Sequence, residues 1–176
     1  RELSRRLEQV GVGLVPIGLD ACRPPRRVLR SARYDAMEAA FDTMGPHGRR
    51  MMCNTAALQV NVDLGPDDPA VRWRRAHALG PTLIATFANS PFGAEGGIGR
   101  PSGWVANRLA TWWAIDPSRT AAPALGPDPA ESWARYALAA NVLLIRSESD
   151  DDATPLRAPF SFDRWMAEGH ERGWPT

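Results

Sequence analysis

The sequence predicts one domain that mixes helices with strands, and three local patterns support this. Apolar side chains recur at helical spacing in the segment 32–44. Strict alternation of apolar and polar residues from Leu58 to Leu64 is typical of a strand with two different faces. The apolar run Asn141–Arg146 (NVLLIR) is typical of a central strand. At 176 residues and 44% hydrophobic, the chain is long enough to bury one core.

The first half of the chain predicts helices separated by two strands. Glycine and proline mark the ends of these elements, because glycine closes helices and proline interrupts them. We expect, in order, a helix over Arg1–Val10, a buried strand over Val12–Leu19, a helix over Ala32–Met44, a strand over Met51–Leu64 and a helix over Asp67–Ser90. Pro81 should kink or divide the last of these helices.

The second half predicts a loop, two further helices, a strand and a terminal helix. Five glycines and two prolines between Pro91 and Gly103 predict a flexible loop. Asp128, Pro129 and Glu131 match a capped helix start. We expect helices over Trp104–Ile115 and from Asp128 to Ala140, a strand over Asn141–Arg146, a solvated acidic loop over Glu148–Asp152 and a weak helix over Phe162–Glu168.

Composition excludes several functional classes. All 21 basic residues are arginine, which excludes a P-loop and a lysine Schiff base, since both need a lysine. Two cysteines and three scattered histidines have no zinc-site spacing. A net charge of +1 with dispersed arginines gives no nucleic-acid-binding stripe. No membrane span or secretory signal is visible, so we expect a cytoplasmic protein with no nucleic-acid or membrane partner.

The polar face of the predicted strand 58–64 is unusual. Gln59, Asn61 and Asp63 share that face, although Asn and Asp are depleted in strands because their short side chains compete for the backbone. Three readings stay open for this row of amides and one carboxylate: a site for a small polar ligand, a metal site, or a buried hydrogen-bond network.

Arg108 lies between Trp104 and Trp112 at four-residue spacing, so the three share one helix face, with Asn107 and Trp113 beside it. The guanidinium could bind a carboxylate or phosphate, or its stem could pack on the indoles while its head reaches water. The helix alone favours the packing role.

For three other candidates the residues alone favour local structure over ligand contact or give only a weak signal. Arg119 could bind an anion or pair with Asp116 at a helix end, and Asn89 could contact a ligand or merely end a helix. Tyr136 shares a helix face with Trp133, which favours packing unless that face lines a cleft.

Taken together in order, five motifs resemble the glutamate–cysteine ligase family, in the branch of plant-type enzymes and bacterial ligases of ergothioneine synthesis. They are RYDAME at 33–38, MMCNTAALQVNVDLG at 51–65, ATFANSPF at 85–92, GWVANRLATWWAIDPSRT at 103–120 and SWARYAL at 132–138. The plant-type pattern has Ser where Ala106 stands and Gly where Ala121 stands. Both departures favour the ergothioneine branch.

The resemblance implies an α+β, glutamine-synthetase-like fold, a curved antiparallel sheet with packed helices. It implies ATP and Mg²⁺ as cofactors and glutamate and cysteine as substrates. The γ-carboxylate of glutamate is phosphorylated, and the cysteine amine attacks the acyl phosphate to give γ-glutamylcysteine, a step of ergothioneine or glutathione synthesis. A related ligase with another amine acceptor, and a non-catalytic ligand-binding fragment of the same fold, remain alternatives.

The resemblance also implies roles for individual residues. Arg108 corresponds to the substrate or phosphate arginine, and Gln59 to a residue that faces the metal and phosphates. The remaining predicted substrate- or nucleotide-binding residues are Thr55, Asn61, Asn89, Trp113, Arg119 and Tyr136.

The family's glutamate-bearing strands, which hold most of the magnesium, have no counterpart in these 176 residues. We therefore expect residues 1–176 to form the central part of a single catalytic domain, with a flexible loop at about 91–103. We further expect the chain alone to lack full activity, because too few carboxylates remain to hold magnesium against the phosphates.

Overall fold

A computed structural model describes residues 1–91, 103–146, 153–156, 158–168 and 173–175. Eight helices and three short strands occur in these ranges. In chain order they are α1 Glu2–Glu8, α2 Ala32–Asp42, α3 His47–Asn54, α4 Pro69–Phe87, α5 Asn107–Trp113, α6 Pro117–Thr120, α7 Pro129–Ala139, β1 Leu144–Arg146, β2 Ala153–Pro155, α8 Phe162–Glu168 and β3 Trp174–Pro175.

The three strands form one antiparallel sheet in the order β2-β1-β3. The central strand β1 pairs Ile145 with Thr154 on one side and with Pro175 on the other. Its apolar residues Leu144 and Ile145 are buried, as expected for a central strand. The sheet is small because β1 contributes only three residues.

The main core lies where α2 and α5 meet the start of the sheet. Phe41 of α2 and Leu144 of β1 are almost completely buried there. The buried members of this cluster are Ala36, Ala40, Phe41, Ile115, Leu143 and Leu144, and the partly buried residues against it are Met37, Met51, Met52 and Trp112. A smaller cluster of Val142, Ile145 and Trp165 fixes α8 to the sheet. Trp165 Nε1 also donates to the carbonyl of Gly173 at 3.1 Å.

Three helices begin at a side-chain cap. Ser31, Asp68 and Asp128 each accept a hydrogen bond from a backbone N–H in the first turn of α2, α4 and α7, respectively. Proline occupies the first helical position of α4 and α7, where its missing N–H costs nothing. The bounds of α1, α2, α7 and α8 confirm the four helices predicted in these regions, with small changes at their ends.

The predicted strand over Val12–Leu19 is wrong. Residues 12–17 are exposed and irregular, and only Leu19 makes an isolated bridge, to Thr55. Local hydrophobicity predicted a buried strand, but a strand also needs a partner for its backbone groups. No described segment pairs with residues 12–17 as a strand.

The predicted strand over Met51–Leu64 is also wrong in the described part of the chain. Residues 51–54 form the last turn of α3, because Met51 and Met52 then pack against the main core. Residues 56–64 follow as an exposed segment that pairs with no described strand, and Leu58 is 94% exposed.

Pro81 does not divide the fourth helix, which runs unbroken from Pro69 to Phe87. A proline inside a helix removes one hydrogen bond and crowds the preceding turn, a cost of about 3 kcal/mol that this helix accommodates. The helix buries no residue completely, and Trp73 meets Trp133 of α7 edge to face at 6.3 Å.

The strand predicted over Asn141–Arg146 is shorter than expected, and the helix predicted from Trp104 begins at Asn107. The predictions for the centre of the loop 91–103 and for the acidic loop 148–152 lie outside the described residues.

Candidate functional site

Residues 18–20 and 54–56 cross next to the end of α3, and hydrogen bonds between their backbones support the candidate site. The N–H of Ala56 donates to the carbonyl of Gly18 at 3.0 Å, and the N–H of Asp20 donates to the carbonyl of Asn54 at 2.8 Å. These two bonds fix the backbone of residues 54–56. The carbonyl of Ala56 is thereby placed to accept a further hydrogen bond.

Arg108 of α5 donates that bond from Nε to the carbonyl oxygen of Ala56 at 2.9 Å. Its Cζ lies 5.8 Å from the centre of the Trp112 ring, within the range of a cation–π contact. Its stem passes close to Gly18, where a Cβ would lie 3.0 Å from Cδ of the arginine. The two terminal nitrogens of the guanidinium have no partner among the described residues, so an anion could bind them.

The backbone of Arg108 is held as well. Its N–H donates to Oγ of Ser90 at 3.1 Å, and the N–H of Ser90 donates to the carbonyl of Val105 at 2.8 Å. Ser90 therefore connects the chain after α4 to the first turn of α5. The arginine is held at both its backbone and its Nε, so little freedom is lost when it binds a ligand.

Arg108 and Asn89 line one open cleft of about 750 Å³. The other lining residues are Pro16, Gly18, Leu58, Val60, Leu83, Ile84, Phe87, Ala88, Ser90, Ala106 and Leu109. An apolar wall with a few converging polar groups is the usual character of a small-molecule site, and the volume is within the usual range.

The structure does not bring Gln59 and Asn61 to this cleft. Leu58 and Val60 line it, and side chains alternate along an extended segment, so the two amides point the other way. Gln59 Nε2 donates to Asn61 Oδ1 at 3.0 Å, and both are exposed. Asp63 accepts a hydrogen bond from the N–H of Gly65. Their predicted roles at a ligand stay predictions.

Thr55 and Trp113 also lie away from the lining of this cleft. Thr55 Oγ1 donates to the carbonyl of Met51 at 2.7 Å, which satisfies an unpaired carbonyl at the end of α3. Trp113 is 52% exposed at the end of α5. The first is engaged by its own helix, whereas the second remains accessible.

Arg119 belongs to a separate polar network around Asp116. Its Nε donates to Asp116 Oδ2 at 2.9 Å, and a terminal nitrogen donates to the carbonyl of Asn141. The hydroxyl of Tyr136 donates to the carbonyl of Arg119. These contacts join α6, α7 and Asn141, which lies between α7 and β1. The local reading of Arg119 as an ion-pair partner of Asp116 is therefore confirmed.

Asp116 is 6% exposed and completes the network. Its Oδ1 accepts from the N–H of Ser118 at 3.0 Å and from the Ser118 hydroxyl at 2.7 Å. Burial by itself would raise the pKa of Asp116, but the hydrogen bonds from Ser118 and Arg119 outweigh it and hold the pKa below its ordinary value. The carboxylate stays ionised near neutral pH.

Sequence reasoning missed the contribution of backbone groups to the site. The carbonyl of Ala56 and the absence of a side chain at Gly18 decide where Arg108 lies, but neither residue type has a chemical signature. Ser90 carried a weak signal, because it directly follows Asn89 at the predicted helix end and lies within the motif ATFANSPF.

The described residues do not fit a magnesium site on their own. No group of three or more His, Cys, Asp or Glu side chains lies close enough to hold a metal in the described ranges. Gln59 offers only an amide, which already bonds to Asn61. Mg²⁺ prefers several oxygen ligands including carboxylates, so this part of the chain does not supply the set.

The sequence profile of the glutamate-cysteine ligase family 2 (GCS2) matches residues 1–171. The chain belongs to this family. It is 45% identical over 170 residues to glutamate–cysteine ligase EgtA of Mycolicibacterium smegmatis, covering 93% of this chain and 37% of that protein. It is 43% identical over 170 residues to the EgtA of Mycobacterium tuberculosis H37Rv, and the match covers 93% of this chain and 38% of that protein.

The chain is also similar to a plant protein. The chloroplastic glutamate–cysteine ligase of Arabidopsis thaliana is 34% identical over 116 residues, which covers 64% of this chain and 22% of that protein. The chain thus spans less than two fifths of the length of the EgtA proteins it matches. No solved structure matches the chain. Within the described residues, no helix is both long and apolar enough to cross a membrane.

Proposed function

We propose that this chain forms the central part of the catalytic domain of an ATP-dependent glutamate–cysteine ligase of the ergothioneine branch. The reaction would phosphorylate the γ-carboxylate of glutamate with ATP, and the cysteine amine would displace the phosphate to give γ-glutamylcysteine. The observation that carries the proposal is the family match over nearly the whole chain, together with an arginine fixed over an open cleft.

Arg108 is our candidate for the catalytic residue. Its Nε bond to Ala56 leaves one edge of the guanidinium facing a cleft of about 750 Å³. A guanidinium presents two parallel N–H groups to the oxygens of a carboxylate or phosphoryl group. Positive charge fixed before the reaction stabilises the charge that develops on a transferring phosphoryl group. Asn89 lines the same cleft and would orient the substrate without adding charge.

For Arg119 and Tyr136, the contacts support a positioning role in place of the substrate contact predicted from sequence. Arg119 donates to the carbonyl of Asn141, and Tyr136 donates to the carbonyl of Arg119. They would hold α6 and α7 against the sheet. Trp113 and Thr55 keep their predicted places in the substrate pocket as part of the proposal.

The proposal extends to the fold, an α+β domain with a curved antiparallel sheet like that of glutamine synthetase. The exposed segment 58–64 supports it, because four apolar side chains alternate there with three polar ones and its backbone pairs with no strand among the described residues. In the complete domain this segment would pair as a strand. That pairing would turn Gln59 and Asn61, in place of Leu58 and Val60, toward the cleft of Arg108, where the two amides would face the nucleotide and metal.

Magnesium would be held mainly by carboxylates supplied from outside residues 1–176. The described residues offer no cluster of three acidic, histidine or cysteine side chains. The metal would neutralise phosphate oxygens when bound. We therefore expect the 176-residue chain alone to release phosphate far more slowly than the full-length protein from the same gene.

The test measures phosphate release by the full-length protein in the presence of ATP and Mg²⁺. Release that depends on both glutamate and cysteine supports the proposal, and release independent of either amino acid contradicts it. Arg108→Lys keeps the charge but loses the planar fork, so kcat should fall about 100-fold, the range for losing one preorganised donor. Arg74→Lys, on the exposed surface of α4, is the matched control and should leave the rate unchanged.

The same assay separates the alternatives. Replacing cysteine by other amino acids identifies a ligase with a different amine acceptor if another amine supports faster release. Calorimetric titration with glutamate and with Mg-ATP addresses a non-catalytic role, which binding without turnover would indicate.

A further inference from the structure

A second cleft, of about 720 Å³, lies between the loop 20–30 and the end of α3. Four arginines and one carboxylate line it, along with an asparagine: Arg23, Arg26, Arg27, Arg30, Asp20 and Asn54. The cleft described above contains a single arginine, Arg108, so the second cleft has the larger excess of positive charge. It shares no lining residue with the cleft that holds Arg108.

Two of the four arginines are neutralised by carboxylates. Arg23 pairs with Asp20, whose pKa is lowered by a backbone hydrogen bond from Cys22 and by the Arg23 side chain, so it is ionised. Arg27 is only 9% exposed and pairs with Asp35 and Glu38 of α2. These two arginines are therefore structural.

The other two, Arg26 and Arg30, are exposed and pair with no carboxylate among the described residues. Because the carboxylate of Asp20 is already engaged with Arg23, the lining leaves two uncompensated positive charges. A ligand that neutralises both must carry at least two negative charges.

The backbone that carries these arginines is fixed before any ligand binds. Nδ2 of the buried Asn54 donates to the carbonyls of Asp20 and Arg23, at 3.2 and 2.7 Å. Pro24 and Pro25 restrict the next two backbone torsions. The ion pairs of Arg27 attach the following residues to α2. A preformed loop lowers the ordering cost of binding.

We propose that this cleft binds an oligophosphate group through Arg26 and Arg30. Guanidinium groups bind phosphate oxygens bidentately, and two of them match a group with several charged phosphates. A single carboxylate would satisfy only one guanidinium, and the cleft is far larger than one carboxylate needs. The oligophosphate could belong to a nucleoside triphosphate or be inorganic. The site does not depend on the proposed ligase activity.

The test is calorimetric titration of the 176-residue chain with inorganic triphosphate at about 50 mM salt, where charge contacts are weakly screened. The double variant Arg26→Ala, Arg30→Ala should bind about tenfold more weakly, since each contact from a solvent-exposed arginine is worth up to about 1 kcal/mol and tenfold corresponds to about 1.4 kcal/mol. The control Arg74→Ala, Arg75→Ala removes the same charge from the surface of α4, away from the cleft, and should bind within about twofold of the original chain.

All four substituted side chains are exposed, so circular dichroism and thermal unfolding should show that both variants fold. Parallel titrations with ATP distinguish the two sources of the phosphate. Tighter binding of ATP than of triphosphate identifies a nucleotide as the ligand, and equal binding identifies the phosphates alone.

Four results would overturn the proposal. They are an absence of triphosphate binding at about 1 mM, an equal loss in the control variant, citrate binding as tightly as triphosphate, and a loss of binding in Arg108→Ala that the double variant does not share. Without triphosphate binding there is no site, and an equal loss in the control would mean that binding depends only on the net charge of the chain. Equal citrate binding would mean that the cleft does not select phosphate, and a loss confined to Arg108→Ala would place the binding in the other cleft.

Discussion

The two oxygens of Asp116 have different partners, so two substitutions at this position should give different losses of stability. Oδ1 accepts both hydrogen bonds from Ser118, and Oδ2 accepts the one from Arg119. Asp116→Asn keeps an acceptor at the Oδ1 position but presents an NH₂ donor to Arg119. Asp116→Ala removes all three bonds from a site that is 6% exposed.

The expected losses follow from the net value of each bond. All three bonds end on the ionised carboxylate: the two from the neutral donors of Ser118 contribute about 1 kcal/mol each, and the one from the charged Arg119 about 1.5 to 3 kcal/mol. The Arg119 side chain is 34% exposed, and solvent screening reduces the charged bond to about 1 to 1.5 kcal/mol. We therefore expect Asp116→Ala to lower the free energy of unfolding by about 3 kcal/mol, and Asp116→Asn by about half of that.

Urea unfolding followed by tryptophan fluorescence and by circular dichroism measures both losses. The matched control is Asp128, an exposed N-cap, where Ala should cost about 1 kcal/mol and Asn almost nothing, because both Asp and Asn are good caps. Equal losses for Asp116→Asn and Asp116→Ala would refute the division between the two oxygens. A loss at Asp116 no larger than at Asp128 would refute the buried network itself.

The same pair of variants has a defined pH dependence. The pKa of Asp116 is lowered in the folded chain, because the bonds from Ser118 and Arg119 outweigh the opposing effect of burial. Its contribution is therefore complete above the unfolded pKa of about 3.9, and is lost as the pH falls through the lower folded value. The stability difference between the original chain and Asp116→Asn should shrink below about pH 4, and a difference that grows there would contradict this assignment.

Three further predictions concern packing and the candidate clefts. Gly48→Ala places a Cβ 2.2 Å from Cβ of Phe41, so overpacking should lower the free energy of unfolding by about 1 to 3 kcal/mol or more, and an unchanged melting temperature would contradict it. Asn54→Ala leaves two carbonyls of residues 20–23 without their donor, so we expect a loss of about 1 to 3 kcal/mol and faster hydrogen exchange near that loop. Val60→Ser should change the stability of the 176-residue chain by less than about 0.5 kcal/mol, because Val60 is exposed, but should cost about 1 to 2 kcal/mol in the full-length protein if 58–64 pairs as a strand there. Equal effects in both proteins would argue against that pairing.

Elements with signals inside their own sequence were predictable. The helices α2, α7 and α8 were found from apolar spacing and caps, since a side-chain cap and a helical face involve only residues a few positions apart. The strand β1 was found from its apolar run, although only three of its residues pair.

Elements that depend on distant partners were not predictable. Val12–Leu19 and Leu58–Leu64 have the alternation or hydrophobicity of strands, but a strand forms only where another chain segment accepts its hydrogen bonds. Met51 and Met52 instead lie in α3, where their side chains pack against the main core. The same limit applies to the site, because Arg108 was identified from its residue type, whereas the carbonyl of Ala56 that holds it lies 52 positions away.

The segment Asn54–Ala56 links the two arginine clefts through different groups. The side chain of Asn54 holds the loop that carries Arg26 and Arg30, and the backbone of Ala56 holds Arg108. This segment thus acts by holding other parts of the chain in place, and the positive charges that can bind a ligand belong to arginines elsewhere in the chain. Because the two hydrogen bonds between 18–20 and 54–56 support both arrangements, a change that breaks this crossing should weaken both clefts together. A change at Arg108 or Arg26 alone should affect only its own cleft.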